Sequence, residues 1–220
     1  MKSTGNDIVA LNAIDIQRTI LPAFYSKFVT ADESELYNKG LRDVAPFHSF
    51  IWLLWSVKES VYKYLKRSQP GLIFPPAKII IEHIVTPHTP LPGITAGVWE
   101  NDSTAEEHYT GKAIFQSHTL YFSSKITAGY VASVVAGSSD LNGVYWGIKS
   151  IKATDQESQS REVRAFATEK LKTVLNSNDL LIKNDTDGCP ILFSGDQPVD
   201  IPISLAHHHN FIAYSFLSGI

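Results

Sequence analysis

The chain has 220 residues, of which 44% are hydrophobic and 19% charged, and its formal net charge is −3 at pH 7. This composition is typical of a globular protein with a sizeable core, and the charge argues against a general nucleic-acid binder, which would carry a basic surface. The single cysteine, Cys189, excludes an internal disulfide and a cysteine-ligated zinc site. Without an apolar signal segment or a run long enough to span a membrane, we expect a cytoplasmic protein.

The first part of the chain predicts a short strand, a broken helix and a capped helix. Asn6 to Leu11 indicates a strand end or a strand-to-helix turn. Ala13 to Phe28 has apolar residues at helical spacing, and Pro22 predicts a kink or break within it. Thr30 followed by Glu33 is a capping-box pattern, which predicts a short helix beginning there.

Phe47 to Lys66 is the strongest helix pattern in the sequence. Its predicted core stripe, at steps of three and four, is formed by Phe50, Leu54, Val57, Val61 and Leu65. Aromatic residues such as Trp55 make a second side apolar. Glu59 and Lys63 lie four residues apart, off the main stripe and next to this aromatic side. A charged pair in that position predicts the wall of a cleft.

The rest of the chain predicts strands around one further helix, from about Arg161 to Leu175. The predicted strands are Lys78 to Ile84, Gly111 to Gln116, Thr119 to Ile126, Tyr130 to Ala136, Gly143 to Ile151, Leu180 to Lys183, Cys189 to Phe193, Ile201 to Leu205 and Phe211 to Phe216. Asp187-Gly188 is a hairpin turn signal between two of them.

An internal repeat predicts how these elements are arranged. Ser123 to Val135 aligns without gaps on Ser204 to Phe216. The repeat predicts an α+β fold of two similar halves related by a pseudo-two-fold axis, residues 1–138 and 139–220, each a small antiparallel sheet packed with helices. Ile126 in the first copy stands where His207 stands in the second. We therefore expect a single active site, in the cleft between the halves.

Taken singly, the polar residues have ordinary explanations. Glu59 with Lys63 could be an exposed helix ion pair worth about 0.3–0.5 kcal/mol. Asp7 could be a turn or cap residue, and Arg161, at a helix start, a solvated cation. Gly188-Cys189-Pro190 reads as a turn that leads into a strand.

The three consecutive histidines could form a metal cluster, the basis of a histidine-dependent metallohydrolase. Strand alternation, however, predicts His207 and His209 on one face and His208 on the other. That interpretation also leaves Asp7, Glu59 and Lys63 unexplained.

Together these segments resemble the 4'-phosphopantetheinyl transferase superfamily. Its G-x-D segment corresponds to Gly5-Asn6-Asp7, and its W-x-x-K-E-[AS]-x-x-K helix, the K-E helix, to Trp55–Lys63. Its S-x-[ST]-H strand corresponds to Ser204-Leu205-Ala206-His207, and its G-K-P strand to the segment that begins at Asn184. The helix from Arg161 resembles the N-terminal helix of the family.

The order of these segments is unusual. In the two-half, surfactin-type members the histidine strand comes first and runs into the G-x-D segment. In the small holo-acyl-carrier-protein synthase type, G-x-D opens the chain and the histidine strand closes it. This chain has the length of the first type and the order of the second, which predicts halves swapped as in a circular permutation. Gly5 and Ile220 would then lie on neighbouring strands.

The resemblance implies a Mg²⁺-dependent enzyme that transfers 4'-phosphopantetheine from coenzyme A to a serine of an acyl or peptidyl carrier protein. Two halves in one chain make a monomer sufficient, and the net charge and the lack of a long apolar run predict neither a nucleic-acid nor a membrane partner. Asp7 and Glu59 would hold Mg²⁺, and Glu59 would take the serine proton.

The remaining implied roles concern coenzyme A. Lys63, with Lys58 as a second candidate, would steady the pyrophosphate, and His207 would bind phosphate. Arg161 would reach the 3'-phosphate. The backbone of Gly188, Cys189 and Pro190 would contact the adenine.

Three departures from the family pattern bear on this implication. Val9 replaces a second acid of the surfactin-type members. Ala206 replaces a Ser or Thr, which would remove a hydroxyl from the coenzyme side, and Cys189 replaces a lysine near the nucleotide. Ala206 and Cys189 motivate an alternative, a non-catalytic member that binds coenzyme A or a carrier protein.

Overall fold

The computed structural model describes residues 2–87, 98–100 and 108–218, the short middle segment by its backbone alone. The helices are α1 (Ile16–Thr19), α2 (Pro22–Tyr25), α3 (Ala31–Leu36), α4 (Phe47–Lys66) and α5 (Gln156–Leu175). The strands are β1 (Thr4–Ala10), β2 (Ile80–Val85), β3 (Val98–Glu100), β4 (Tyr109–Phe115), β5 (His118–Ile126), β6 (Tyr130–Ala136), β7 (Val144–Ser150), β8 (Leu180–Asn184), β9 (Pro190–Ser194), β10 (Gln197–Val199), β11 (Ile203–His208) and β12 (Phe211–Leu217). The α+β class is therefore confirmed.

The strands form three antiparallel sheets. The first has the order β1-β6-β5-β4-β2 and carries α4, and the second has the order β11-β12-β7-β3 and packs against α5. A small third sheet, β10-β9-β8, follows α5. None of the helices in the described part of the chain is long and apolar enough to cross a membrane.

The two stretches that resemble each other in sequence are both β-hairpins. The gapless alignment also preserves their cross-strand register: Ile126 pairs with Val131 in the first hairpin, and His207 pairs with Ile212 in the second. The relation of two whole halves by a pseudo-two-fold axis stays a prediction, as do the boundaries 1–138 and 139–220.

β1 lies where the first sheet meets the second. It pairs with β6 on one side, and on the other its backbone N–H groups donate to side chains of β11. The Asn6 N–H donates to Ser204 Oγ over 3.0 Å, and the Ala10 N–H donates to His208 Nδ1 over 2.8 Å. Because both bonds advance in the same direction along the two strands, β1 and β11 run parallel at this seam.

The swapped order of the halves also stays a prediction, because Ile220 lies outside the described residues. The last described strand does contact the first: Thr4 Oγ1 donates to Ser215 Oγ over 3.0 Å. Ser3 and Ser218 line the same cleft. The two ends of the described chain are therefore neighbours.

The long helix α4 has the predicted bounds, and all five stripe residues are buried. The helix predicted over Ala13 to Phe28 is broken at Pro22 into the short helices α1 and α2. At Thr30 the capping box is present with both of its hydrogen bonds. The helix α5, however, begins at Gln156 rather than near Arg161, because Asp155 caps it by accepting from the Ser158 N–H.

Candidate active site

Gly5 sets how closely β1 approaches α4. A Cβ at this position would lie 2.0 Å from the Ser60 carbonyl oxygen and 2.7 Å from the Tyr64 nitrogen, so any side chain would push strand and helix apart. Asp7 is two residues further along the strand and therefore points to the same, helix-facing side. The glycine of the G-x-D segment thus allows the aspartate to reach α4.

Asp7, Glu59 and Lys63 form one charged cluster where β1 meets α4. The Lys63 Nζ lies 3.2 Å from Asp7 Oδ1 and 3.4 Å from Glu59 Oε1, and it donates to the Asn6 carbonyl oxygen over 3.0 Å. The other carboxylate oxygen of Glu59 accepts from Trp55 Nε1 over 3.0 Å. Three residues predicted to act together are therefore in contact, and the aromatic side of α4 orients Glu59.

The cluster is largely removed from water. The side chain of Asp7 is 8% exposed, against 24% for Lys63 and 29% for Glu59. Burial raises the pKa of the Asp7 carboxyl to about 7, with Lys63 opposing the shift and Glu59 adding to it. Burial lowers the pKa of Lys63, but the charges of Asp7 and Glu59 outweigh it and the net shift is upward. Such perturbed groups are typical of functional sites.

The donor set fits a hard divalent cation. Asp7 Oδ2 is buried and has no hydrogen-bond partner in the described structure, so one carboxylate oxygen remains available. Mg²⁺ takes one or two protein carboxylates and completes its shell with water and phosphate oxygens. Asp7 and Glu59 match that need. The described residues contain no group of three or more His, Cys, Asp or Glu side chains that could hold a metal. Water and phosphate oxygens would therefore supply the other ligands.

His207 projects from β11 toward α5 and is held there by Gln159. The Gln159 Nε2 donates to the Thr154 and His209 carbonyl oxygens, at 2.9 Å and 2.5 Å. Its Oε1 must therefore accept from His207 Nδ1, which lies 2.6 Å away. This leaves His207 Nε2 free of that bond. Gln159 was missed in the sequence because its role depends on the true start of α5.

The basic residue of α5 that acts on His207 is Arg164. Burial lowers the pKa of His207, and the charges of Lys63, Arg164 and His208 lower it further. Arg161, predicted to reach the 3'-phosphate, is exposed and donates to Ser158 Oγ over 3.1 Å. Arg164 lies three residues further along the same helix, where its guanidinium donates to the Ser160 carbonyl oxygen and to Asn184 Oδ1. The role of Arg161 at the 3'-phosphate stays a prediction, and Arg164 is a second candidate on this helix.

The prediction that Lys58 binds the coenzyme is wrong for this structure. Lys58 is fully buried on the far side of α4, where its Nζ lies 2.8 Å from Glu33 Oε2 and 2.6 Å from the Phe28 carbonyl oxygen. The other oxygen of Glu33 accepts from the Ile81 N–H. Lys58 therefore ties α3 and β2 to α4. Helical periodicity could have shown this, because adjacent residues of a helix point in different directions.

Gly188 and Cys189 lie in the turn after β8, and Pro190 begins β9, so the segment is a turn that leads into a strand, as predicted. Gly188 has a φ of 82°, and Asp185 Oδ1 accepts from the Cys189 N–H over 2.8 Å. The turn is joined to the end of the K-E helix, because Arg67 Nη2 donates to the Pro190 carbonyl oxygen over 2.8 Å. The G-x-D strand contacts α4 directly, and Arg67, the residue after α4, bonds to Pro190 after the turn and to Ile203 at the start of the histidine strand.

Ala206 does not face the coenzyme side. It is 4% exposed and packs in an apolar cluster with Ile8, Ala10 and Ala213 between the two main sheets. Its replacement of Ser or Thr thus removes no hydroxyl from the cleft, which corrects that expectation.

The histidine run forms no shared metal face. His207 contacts α5, His208 contacts β1, and His209 lies in the turn after β11 with a φ of 52°. The prediction that His207 and His209 share a strand face is wrong, because the strand ends at His208.

Comparison with known proteins agrees with the geometry of the first half. A family model described as the 4'-phosphopantetheinyl transferase superfamily matches residues 3–134. The chain therefore belongs to this superfamily, and its domain is that of a transferase. The match ends within β6. The assignment of α5, the turn at Gly188 and His207 to the candidate site is therefore not supported by this match. A search of curated proteins finds no significant match.

Proposed function

We propose that the protein transfers the 4'-phosphopantetheine group of coenzyme A to a serine of an acyl or peptidyl carrier protein. The reaction depends on Mg²⁺ and releases adenosine 3',5'-bisphosphate. The observation that carries this proposal is the contact of Lys63 with both Asp7 and Glu59, which joins the G-x-D strand to the K-E helix. A metal-binding pair of carboxylates beside an ammonium is the environment that a pyrophosphate requires.

The chemical step is a phosphoryl transfer. The serine Oγ of the carrier attacks the pantetheine-side phosphorus, a new P–O bond forms, and the bond to the bridging oxygen of the pyrophosphate breaks. The serine proton passes to Glu59, directly or through one water. The bridging oxygen leaves with the adenosine bisphosphate, and its developing charge is stabilised by Lys63.

Metal binding belongs to Asp7 and Glu59. When bound, Mg²⁺ neutralises charge on the pyrophosphate oxygens. Lys63 contacts both carboxylates, and its single positive charge offsets part of theirs. The same ammonium can turn to a phosphate, because its side chain is partly exposed and flexible.

The second half supplies the remaining coenzyme contacts. His207 would donate from Nε2 to a phosphate oxygen, which requires the imidazolium because the neutral ring carries its proton on Nδ1. Burial and the neighbouring positive charges lower the pKa of His207, and the negative charge of a bound phosphate opposes that shift and favours the imidazolium. Arg164 adds positive charge on the same side. The backbone of residues 188–190 contacts the adenine.

The alternative function, a non-catalytic member that binds coenzyme A or a carrier protein, loses part of its motivation. Ala206 lies in the core, and of the two replacements only Cys189 stays near the proposed nucleotide site. The chain has Asp7 and Glu59 as ligands for the metal, and with Val9 in place of a second acid the metal would keep more water.

The proposal is tested by the mass of a carrier protein after incubation with coenzyme A and Mg²⁺. A panel of fatty-acid, polyketide and peptide-synthetase carriers is used, with the enzyme in wild-type, Asp7→Asn and Glu59→Gln forms. We expect at least one carrier to gain one phosphopantetheine with the wild-type protein and none to do so with either variant or with chelator. Coenzyme binding without any mass change would favour the non-catalytic alternative.

A further inference from the structure

Arg67 follows the last residue of α4 and reaches across to the second half of the chain. Its Nη2 donates to two backbone carbonyl oxygens, that of Pro190 at 2.8 Å and that of Ile203 at 2.9 Å. Pro190 is the first residue of β9, directly after the turn from β8, and Ile203 is the first residue of β11. One guanidinium thus ties together three elements that are far apart in sequence.

Each of these elements carries part of the proposed site. Lys63 lies one helical turn before Arg67 on α4. Pro190 belongs to the segment proposed to contact the adenine, and Ile203 lies four residues before His207 on the same strand. Arg67 therefore connects the phosphate-binding ammonium, the nucleotide segment and the histidine strand through bonds to backbone, whose positions it fixes.

We propose that Arg67 is a positioning residue that sets the affinity for coenzyme A, by holding the turn at residues 188–190 and the start of β11 against the K-E helix. This inference rests on the proposed function for the identity of the ligand. It does not depend on the transfer step, because Arg67 contacts backbone rather than the reacting atoms.

The charge of Arg67 adds to this role. Cys189 stands where the family pattern has a lysine, so the turn itself lacks a cation. Arg67 brings a guanidinium to the adjacent carbonyl from the other half of the chain. Burial lowers its pKa, against the opposing influence of Cys189, Asp185 and Asp200, and at neutral pH an arginine stays charged.

The neighbouring residue offers a matched control. Lys66 also donates from a cationic side chain to backbone carbonyl oxygens, those of Pro70 and Leu72, but both belong to the loop that follows α4. Lys66→Met removes a cation and its carbonyl bonds from the same helix end without breaking a hydrogen bond to the second half. Because the charge of Lys66, like that of Arg67, reaches Cys189, this control separates the two hydrogen bonds of Arg67 from its charge. Arg67→Met does so for the second half, and Arg67→Lys keeps the charge with a single nitrogen.

The test combines calorimetry of coenzyme A with Mg²⁺, steady-state transfer kinetics and amide hydrogen exchange on the full chain. We expect Arg67→Met to raise the Kd and KM for coenzyme A by about tenfold while kcat changes by less than about threefold, since a lost charge-assisted hydrogen bond is a change of this order. Arg67→Lys should fall between Arg67→Met and wild type, and Lys66→Met should match wild type. Amides of residues 191–192 and 203–207 should exchange faster in Arg67→Met only.

Two results would overturn the inference. One is an unchanged Kd and KM in folded Arg67→Met, and the other is an equal change in Lys66→Met. If Arg67→Met fails to fold, Arg67→Lys is judged by the same criteria. If the wild-type protein binds no coenzyme A, the proposed function fails, and hydrogen exchange alone decides whether Arg67 holds the two segments.

Discussion

Asp7 and Lys63 are 56 positions apart in the sequence and form an ion pair, with 3.2 Å between Oδ1 and Nζ. The pair joins the first strand to the K-E helix, and Glu59 contacts the same ammonium. An aspartate buried this deeply is costly to ionise. Its presence is explained by a ligand that needs a carboxylate, and this can be tested through stability as well as activity.

The folded protein without metal should be stabilised by Asp7→Asn at alkaline pH. The folded pKa of Asp7 is about 7, above its unfolded value, so its stabilising contribution is full at low pH and is lost as the pH rises through 7. In chelator at pH 9 we expect the free energy of unfolding of Asp7→Asn to exceed that of wild type by at least about 1 kcal/mol. Urea denaturation measures this, and Mg²⁺ should then stabilise wild type only. Equal stabilisation of both proteins by Mg²⁺ would place the metal elsewhere.

Lys58→Met should act on stability and not on chemistry. It leaves the buried Glu33 carboxylate without its ion-pair partner, which costs about 3–5 kcal/mol of unfolding free energy. Denaturation of Lys58→Met beside the double variant Lys58→Met/Glu33→Gln measures the effect, and the double variant should recover part of the loss. A stable Lys58→Met with weakened coenzyme binding would restore the original prediction for this lysine.

Gln159→Leu should weaken coenzyme binding by releasing His207. Loss of the hydrogen bond to Nδ1 leaves the imidazole less well oriented and costs about 1 kcal/mol of binding free energy, which corresponds to a Kd for coenzyme A about fivefold higher. Gln156→Leu, at the exposed start of the same helix, is the control and should bind like wild type. Calorimetry decides, and equal Kd values for Gln159→Leu and wild type would remove Gln159 from the site.

His108 should make the protein less stable in mild acid. Burial, followed by the charge of Lys125, lowers its folded pKa to about 4, below the unfolded value. Between pH 6.5 and 4 the unfolded chain therefore binds the proton first, and up to roughly 3 kcal/mol of stability is lost as the pH falls. His108→Asn lacks this titration and should lose less stability over the same pH range. Asp7 changes stability with pH in the opposite direction, but equally in both proteins, so it cancels in the comparison. Parallel stability-against-pH curves for the two proteins would contradict the assignment.

Much of the fold was predictable because its periodic patterns are strong. The apolar stripe of α4 and the capping box at Thr30 give the observed bounds of α4 and the observed start of α3. The start of α5 was not predictable from apolar spacing, because its first turn, after Asp155, is polar and its cap is a side-chain bond.

The site was predictable in its residue types and less so in its orientation. Asp7, Glu59 and Lys63 come together as predicted. Ala206 was assigned to the wrong side of its strand, because a motif fixes spacing and the facing of a strand depends on the sheet packed against it. Gln159 and Arg67 were missed for the same reason, since both act through tertiary bonds to distant backbone or side chains.

The central claim is that one cluster holds both the metal and the coenzyme pyrophosphate, and the coupling between the two ligands tests it most directly. Calorimetric titration of coenzyme A with and without Mg²⁺ should show binding at least about tenfold tighter with the metal in wild type, and no such difference in Asp7→Asn. Two results would contradict it: a Kd for coenzyme A that is the same with and without Mg²⁺ in wild type, or a Mg²⁺ effect on Kd in Asp7→Asn as large as that in wild type.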